Sequence, residues 1–420
     1  MKVLFFAEAV TLAHVARPLA LASALLTGQH SCAVACAASH AAFVTDQSVP
    51  VVPISSLAGA DFLAALAAGR RVYDAETLQR YVLDDLRAID TFAPDLVVGD
   101  FRLSLSVSAR LAGVPYAAIT NAYWSPYSRL KFPMPVLPLS RHLPLPVARA
   151  LFRLGHRQAM LRHAKPLNQV RRQHGLPPVP AGLRAAYTDA DHLLYADAPG
   201  VFAMDDLPAH HHFLGPVLWS PVVRQPAWWH TLPGDMPTIY LNLGSSGSTA
   251  TALQVVFAAL AGRHCTVMAA SAGARVQPQA SNNIHSAVFL DGAQATARAD
   301  LVVCNGGSMA CQQALLAGRP ILGIASNMDQ FLNMNAIVEA GAGICLRADR
   351  LQPWTVWQAC QTLLQDPAWA AAAARMGAHL RQFDAPQRFC ALLPQLAATP
   401  STAPAAPAAP AAPAAPQPEL

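Results

Sequence analysis

Short runs rich in Val, Leu, Ile and Ala recur along the chain, with stretches of helical spacing between them. In the first half the runs occupy residues 2–7, 32–36, 51–54, 95–100 and 116–120, and helical patterns fall at 18–26, 61–68, 75–89 and 104–112. Strand alternating with helix implies crossover connections, and hence a parallel sheet. The segment from Glu8 to Pro18 reads as a loop at the carboxyl end of the first strand. After Asn121 the pattern loosens, because Pro126, Pro133, Pro135, Pro138, Pro144 and Pro146 break regular structure. Residues 147–173 then read as a pair of helices, with Leu151, Leu154, Met160 and Leu161 on an apolar stripe among arginines. Strands at 189–195 and 213–216 end this half.

A second βα series follows, with strands at 238–243, 266–270, 287–290, 301–304 and 321–325 and helices at 252–261, 309–316 and 366–383. The chain therefore reads as α/β with two Rossmann-like domains, residues 1–217 and 235–396, joined by an aperiodic connector at 218–234. Residues 397–420 are built of Ala-Ala-Pro repeats. A proline every third residue forbids helix and leaves nothing to bury, which predicts an extended, disordered tail dispensable for catalysis.

Composition agrees with two packed cores: 420 residues, 53% apolar and 13% charged. The net charge of +5 comes almost wholly from arginine, with Lys only at Lys2, Lys131 and Lys165. Without basic residues and aromatics clustered on one module, this is no nucleic-acid footprint. The eight cysteines form no CxxC pair and read as buried free thiols. Glu8, His14, Arg17 and Pro18 interrupt the apolar start of the chain, so it reads as a strand and helix rather than a signal peptide. No apolar run is long enough to span a bilayer, and a cytoplasmic protein is expected.

Candidate chemistry concentrates between Ala299 and Gln330. A buried strand turns through Asn305-Gly306-Gly307-Ser308 into a helix, which brings backbone N–H groups and the positive end of a helix dipole to one place, as a phosphate or diphosphate requires. The next strand delivers Asp329 and Gln330 to the edge where open α/β sheets bind ligands. The spacing of Gly306-Gly307, Gln313-Ala314-Leu315, Gly318-x-Pro320 and Asp329-Gln330 resembles the donor-binding signature of the family 1 nucleotide-sugar glycosyltransferases.

The resemblance runs in order through about residues 1–395. It implies the GT-B architecture, two Rossmann-like domains whose parallel sheets face each other across a cleft. Ala13-His14-Val15-x-x-Pro18 resembles the family's Gly-His-Val-x-Pro segment, which carries the catalytic base, and Asp100 matches its acidic partner. A strand-end aspartate also commonly caps the following helix. Transfer to a hydroxyl needs a base, and a carboxylate that holds one imidazole tautomer makes histidine suitable. Single displacement inverts the anomeric centre.

By the same resemblance, Gly306, Gly307, Ser308 and the turn Gly244-Ser245 hold the diphosphate, Asp329 and Gln330 the sugar, and Tyr123, Trp124 and Tyr127 a small-molecule or lipid acceptor. Core packing is the other role open to those three aromatics. Neither metal nor cofactor is implied, since helix dipole and backbone donors serve the leaving group. Arg149, Arg153, Arg157, Arg162 and Lys165 lie beside exposed apolar residues and suit either a membrane surface or a solvated basic face.

Three departures stand out. Asn305 replaces the family's phosphate-contacting His, Gln313 replaces the acid that accepts the ribose hydroxyls, and Leu290-Asp291-Gly292-Ala293-Gln294 lacks the Pro-Gln that packs near the base. They leave open a transferase-like partner protein that has lost its donor. A nucleotide-sugar epimerase of the same fold is a further alternative, although the long aromatic and proline-rich segment after Asn121 favours an acceptor pocket.

Overall fold

The computed structural model describes residues 1–26, 28–180, 182–221, 223–244, 249–271 and 281–398. Its first sheet holds β1 (Lys2–Ala7), β2 (Ser31–Cys36), β3 (Val51–Pro53), β4 (Leu96–Asp100), β5 (Tyr116–Thr120), β6 (His192–Tyr195) and β7 (His211–Phe213), all parallel, in the order β3-β2-β1-β4-β5-β6-β7. Helices α1 (Leu12–Leu25), α2 (Ala41–Thr45), α3 (Gly59–Ala68), α4 (Ala75–Phe92), α5 (Leu105–Ala112), α6 (Pro138–His142), α7 (Leu145–Gln173) and α8 (Leu183–Tyr187) connect and cover it.

The second sheet holds β8 (Thr238–Asn242), β9 (Thr266–Ala270), β10 (Ile284–Ala287), β11 (Leu301–Cys304), β12 (Ile321–Ala325) and β13 (Gly343–Arg347) in the order β10-β9-β8-β11-β12-β13, again parallel. Its helices are α9 (Thr249–Leu260), α10 (Gly292–Arg298), α11 (Ser308–Leu316), α12 (Met328–Glu339), α13 (Pro353–Gln365) and α14 (Pro367–Leu380), and α15 (Ala385–Ala398) ends the described chain. Val3, Leu4, Phe5 and Phe6 are all fully buried. Burial of successive residues means helices on both faces of the sheet, and this is why these strands read as unbroken apolar runs.

Strand order reverses next to β1 in one sheet and next to β8 in the other. Such switch points open a crevice at the carboxyl ends of the flanking strands. Ala7 pairs with Asp100 and Asn242 with Cys304, so each crevice is fed by two loops far apart in sequence.

Several expected elements differ. The first helix starts at Leu12, six residues ahead of the Pro18 start, so His14 lies on a helix and not in a loop. Pro18 has no N–H to donate to the His14 carbonyl, yet the helix runs through it because Val15, Ala16, Leu19, Leu21 and Ala22 are buried against the sheet. The predicted helical pair is one 29-residue helix, α7, which absorbs Pro166 in the same way. Strand β10 sits three residues before its expected start.

Helix α15, placed by sequence at the end of the second domain, returns to the first. Phe389, Leu393 and Leu396 join the core built on Val3, Phe5 and Leu19, with the Phe5 and Phe389 rings 5.8 Å apart. Where the chain leaves the first domain, Gly215 has φ +97° and lies directly against the Cβ of Phe383, where the chain comes back. Residues 399–420 of the expected tail lie outside the described residues.

Candidate active site

A cavity of about 670 Å³ opens between the two sheets, lined by both switch-point crevices. On the first-domain side His14, on the opening turns of α1, meets Asp100 at the end of β4: Nδ1 lies 2.8 Å from Oδ1, across 86 residues of sequence. Asp100 is fully buried. Arg17, one turn after His14, donates from Nε to Oδ2 at 2.7 Å and from Nη2 to Oδ1 at 2.9 Å, a two-pronged grip on the same carboxylate. Its Nη1 donates to Asn121 Oδ1 at 2.8 Å. Burial would lower the basicity of Arg17, but the charge and hydrogen bonds of Asp100, with the charges of Tyr123 and Asp329, together outweigh it and raise the guanidinium above its ordinary value.

Arg17 Nη2 also lies 3.3 Å from His14 Nδ1. A guanidinium only donates, and in the neutral tautomer that a base requires, Nδ1 carries the proton given to Asp100. That contact is therefore a close approach and not a hydrogen bond, and Nε2 is the nitrogen left to accept a proton. The ring is further fixed by Phe101, which stacks on it with centroids 4.8 Å apart and planes 13° from parallel. Phe101 adopts φ +56°, a left-handed backbone that costs a side-chain-bearing residue about 1–2 kcal/mol.

The loop that carries Phe101 is anchored from beneath. Arg102 is buried with Glu8 Oε2 at 2.7 Å and Asp85 Oδ1 at 2.9 Å. Burial pushes both carboxyls above their ordinary range, against the pull of Arg102.

On the second-domain side, Gly306 turns with φ +82°, and a Cβ there would come 2.7 Å from Met334 Cγ. Asn333 Nδ2 donates to its carbonyl at 2.9 Å. Asn305 Oδ1 accepts the Gly307 N–H at 2.9 Å, so this N–H is already satisfied and the N–H groups after it, from Ser308 onward, are those that open α11. Gly307, Ser308, Met309 and Ala310 line the cavity with the positive end of that helix. Gly244 faces it from the end of β8, its N–H held by Asn242 Oδ1 at 3.0 Å. Ser245 lies outside the described residues. Gln313 lines the same wall and donates to Ser220 Oγ at 2.9 Å.

Asp329 and Gln330 stand at the start of α12. Gln330 Oε1 accepts from Ser326 N at 2.7 Å and Asn327 N at 3.2 Å, which leaves its buried Nε2 without a partner among the described residues. Asp329 Oδ1 accepts from the Tyr123 hydroxyl at 3.0 Å and from Trp124 Nε1 at 2.8 Å. These two aromatics were expected as acceptor platforms. Tyr123 is instead fully buried and ties the domains together, and Trp124 does both, since it also lines the cavity. Tyr127 does not line it; its ring packs edge-on against His211 at 5.3 Å. Close by, Asp197 accepts from Ala122 N at 2.7 Å and from Gln312 Nε2 at 3.1 Å, bridging β6 and α11, and burial pushes its carboxyl up to about 6.

Arg17, Phe101, Asn121 and Asp197 were not singled out from sequence. Arg17 was readable once the helix starts at Leu12, because His14 and Arg17 then share a face at i and i+3. Nothing in the sequence pattern marks Phe101.

Over 375 residues the chain is 45% identical to a PGL/p-HBAD biosynthesis rhamnosyltransferase of Mycobacterium bovis, covering 89% of this chain and 83% of that protein. The chain belongs to the family 1 glycosyltransferases. Residues 267–393 of this glycosyltransferase match the model for the Erythromycin biosynthesis protein CIII-like C-terminal domain. The solved structure of Spinosyn Rhamnosyltransferase SpnG, 20% identical, superposes with a TM-score of 0.68 over 95% of this chain and all of that one, so the glycosyltransferase has the GT-B fold. Another Mycobacterium bovis relative, 45% identical over 62% of this chain and 70% of its own length, is named an inactive PGL/p-HBAD biosynthesis glycosyltransferase. Among the described residues no helix is long and apolar enough to cross a membrane.

Proposed function

We propose that this glycosyltransferase moves a hexosyl group, with inversion, from a UDP- or dTDP-sugar to a hydroxyl of an apolar acceptor, with His14 as the base and Asp100 as its partner. The observation that carries the reading is the 2.8 Å contact between His14 Nδ1 and Asp100 Oδ1 on the wall of the cavity. It commits one ring nitrogen to a buried carboxylate and leaves the other to take the acceptor proton. As that proton leaves, the acceptor oxygen bonds to the anomeric carbon on the face opposite the diphosphate, and the bond from carbon to phosphate oxygen breaks. The diphosphate departs with its charge against the N–H groups that open α11. Asp329 and the spare Nε2 of Gln330 hold sugar hydroxyls.

The acceptor side is apolar. Phe62, Leu66, Val72, Phe101, Leu103 and Tyr187 line it, which suits an aromatic or alkyl-bearing acceptor. Because relatives are named rhamnosyltransferases, nucleotide-rhamnose heads the donor panel.

The test is donor binding by calorimetry, and slow donor hydrolysis, across UDP-, dTDP- and GDP-sugars for the wild type and His14→Ala. Binding in both with hydrolysis only in the wild type supports the proposal. Asn305, Gln313 and the inactive relative favour a second reading, a non-catalytic partner protein. Failure of every donor to bind the wild type selects it.

A further inference from the structure

We propose that the outward face of α7 docks on an anionic lipid bilayer and that a lipid-bearing acceptor enters the cavity along this helix. Three observations converge on it. Val147, Leu151 and Leu154 stand at i, i+4 and i+7 on one stripe, and all three are solvent-exposed, Leu154 to 82%. A core-facing helix buries such a stripe; here it points away from the fold. The flanks of the stripe are basic and exposed, with Arg153 and Arg157 on one side, Arg162 on the other and Lys165 in line with it further on. No acidic residue occurs anywhere in Leu145–Gln173. An apolar stripe between cations, with nothing to neutralise them within the helix, complements a negatively charged interface and not a neutral one.

The same helix forms part of the cavity wall. Phe152, Gly155, His156, Ala159, Met160 and His163 line the acceptor side. Gly155 is both exposed and lining, so at that point the wall has no side chain between the outer face and the cavity. A lipid chain leaving a bilayer pressed on Leu151 and Leu154 reaches the apolar interior by passing one bare turn of helix. Docking rests on the helix alone, whereas acceptor entry rests on the transferase reading.

The experiment is co-sedimentation of the full chain with vesicles of equimolar phosphatidylcholine and phosphatidylglycerol, beside pure phosphatidylcholine, with no donor or acceptor present. The wild type is expected to bind only the anionic vesicles, and less at high salt. Each basic residue near such a surface contributes about fivefold in partitioning, so Arg153→Ser/Arg157→Ser/Arg162→Ser weakens binding about a hundredfold. Leu151→Glu/Leu154→Glu abolishes it, and circular dichroism shows both variants folded.

A wild type that ignores the anionic vesicles, or either variant binding as the wild type does, overturns the proposal. So does a wild type that forms a dimer lost in the leucine variant without binding vesicles, since the face then pairs copies of the chain. Activity on an acceptor dissolved in detergent, retained in both variants, separates failure of docking from failure of the chemistry.

Discussion

Arg17 grips both oxygens of Asp100, at 2.7 and 2.9 Å, so the carboxylate that His14 touches is shared with a permanent cation. The grip fixes the carboxylate in place and keeps a buried charge paired. Removing one partner of a buried pair leaves the other uncompensated and costs about 3–5 kcal/mol. Arg17→Leu is expected to lose stability on that scale in urea denaturation, together with most of kcat. Arg17→Lys keeps the charge without the fork and falls between the two. A leucine variant as stable as the wild type contradicts this account.

On the proposed mechanism His14→Ala removes the base, and kcat is expected to fall about 10²- to 10⁴-fold while donor affinity stays within a fewfold. Asp100→Asn offers an amide to two donors that want an acceptor, so it is expected to lose comparable activity with the imidazole still present. Single-turnover kinetics beside donor calorimetry read the two quantities separately, and equal losses in both point to a structural defect.

The contacts to Asp329 predict an effect on donor binding. Trp124→Phe deletes the 2.8 Å hydrogen bond to that carboxylate and keeps the ring. A hydrogen bond to a charged group contributes about 1.5–3 kcal/mol to holding the carboxylate in place, and where Asp329 holds the sugar as proposed, donor KM is expected to rise up to about tenfold with little change in kcat. If KM is unchanged, the contact contributes nothing to holding the donor site in shape.

Asp197 makes stability depend on pH. Its ordinary value of 3.8 rises to about 6 in the fold because it is fully buried, so the folded chain holds a proton that the unfolded chain has released. That contribution is complete below pH 3.8 and is lost as pH rises through about 6, a difference of about 3 kcal/mol at 1.36 kcal/mol per unit. Unfolding free energies of Asp197→Asn across that window are expected to slope less steeply than those of the wild type. Parallel slopes refute the assignment.

The sheets were legible because buried parallel strands read as apolar runs, and β1, β11 and β12 fall where the sequence places them. His14 and Asp100 were legible through the family motif, and their meeting follows from strand order at the switch point. What escaped were features set by tertiary packing. Pro18 signals a helix start, but the buried face ahead of it carries the helix back to Leu12 and brings Arg17 into the site. The left-handed backbone of Phe101 has no local signature, since only the Arg102 anchor beneath explains why the chain accepts it. Nor does any pattern show that Tyr123 ends on a carboxylate 206 residues away.

The return of α15 to the first core makes the second half an insertion, not an appendage. The polypeptide crosses from one half to the other twice, and the crossings touch where Gly215 meets Phe383. The halves also meet where the Tyr123 hydroxyl donates to Asp329 at 3.0 Å and Gln312 Nε2 to the Ala196 carbonyl at 2.8 Å, so more than the two crossings joins them. The second half cannot be cut free at residue 235 without stripping Phe389, Leu393 and Leu396 from the first core. A Cβ at residue 215 would collide with the Cβ of Phe383, so Gly215→Ala would force the two crossings apart.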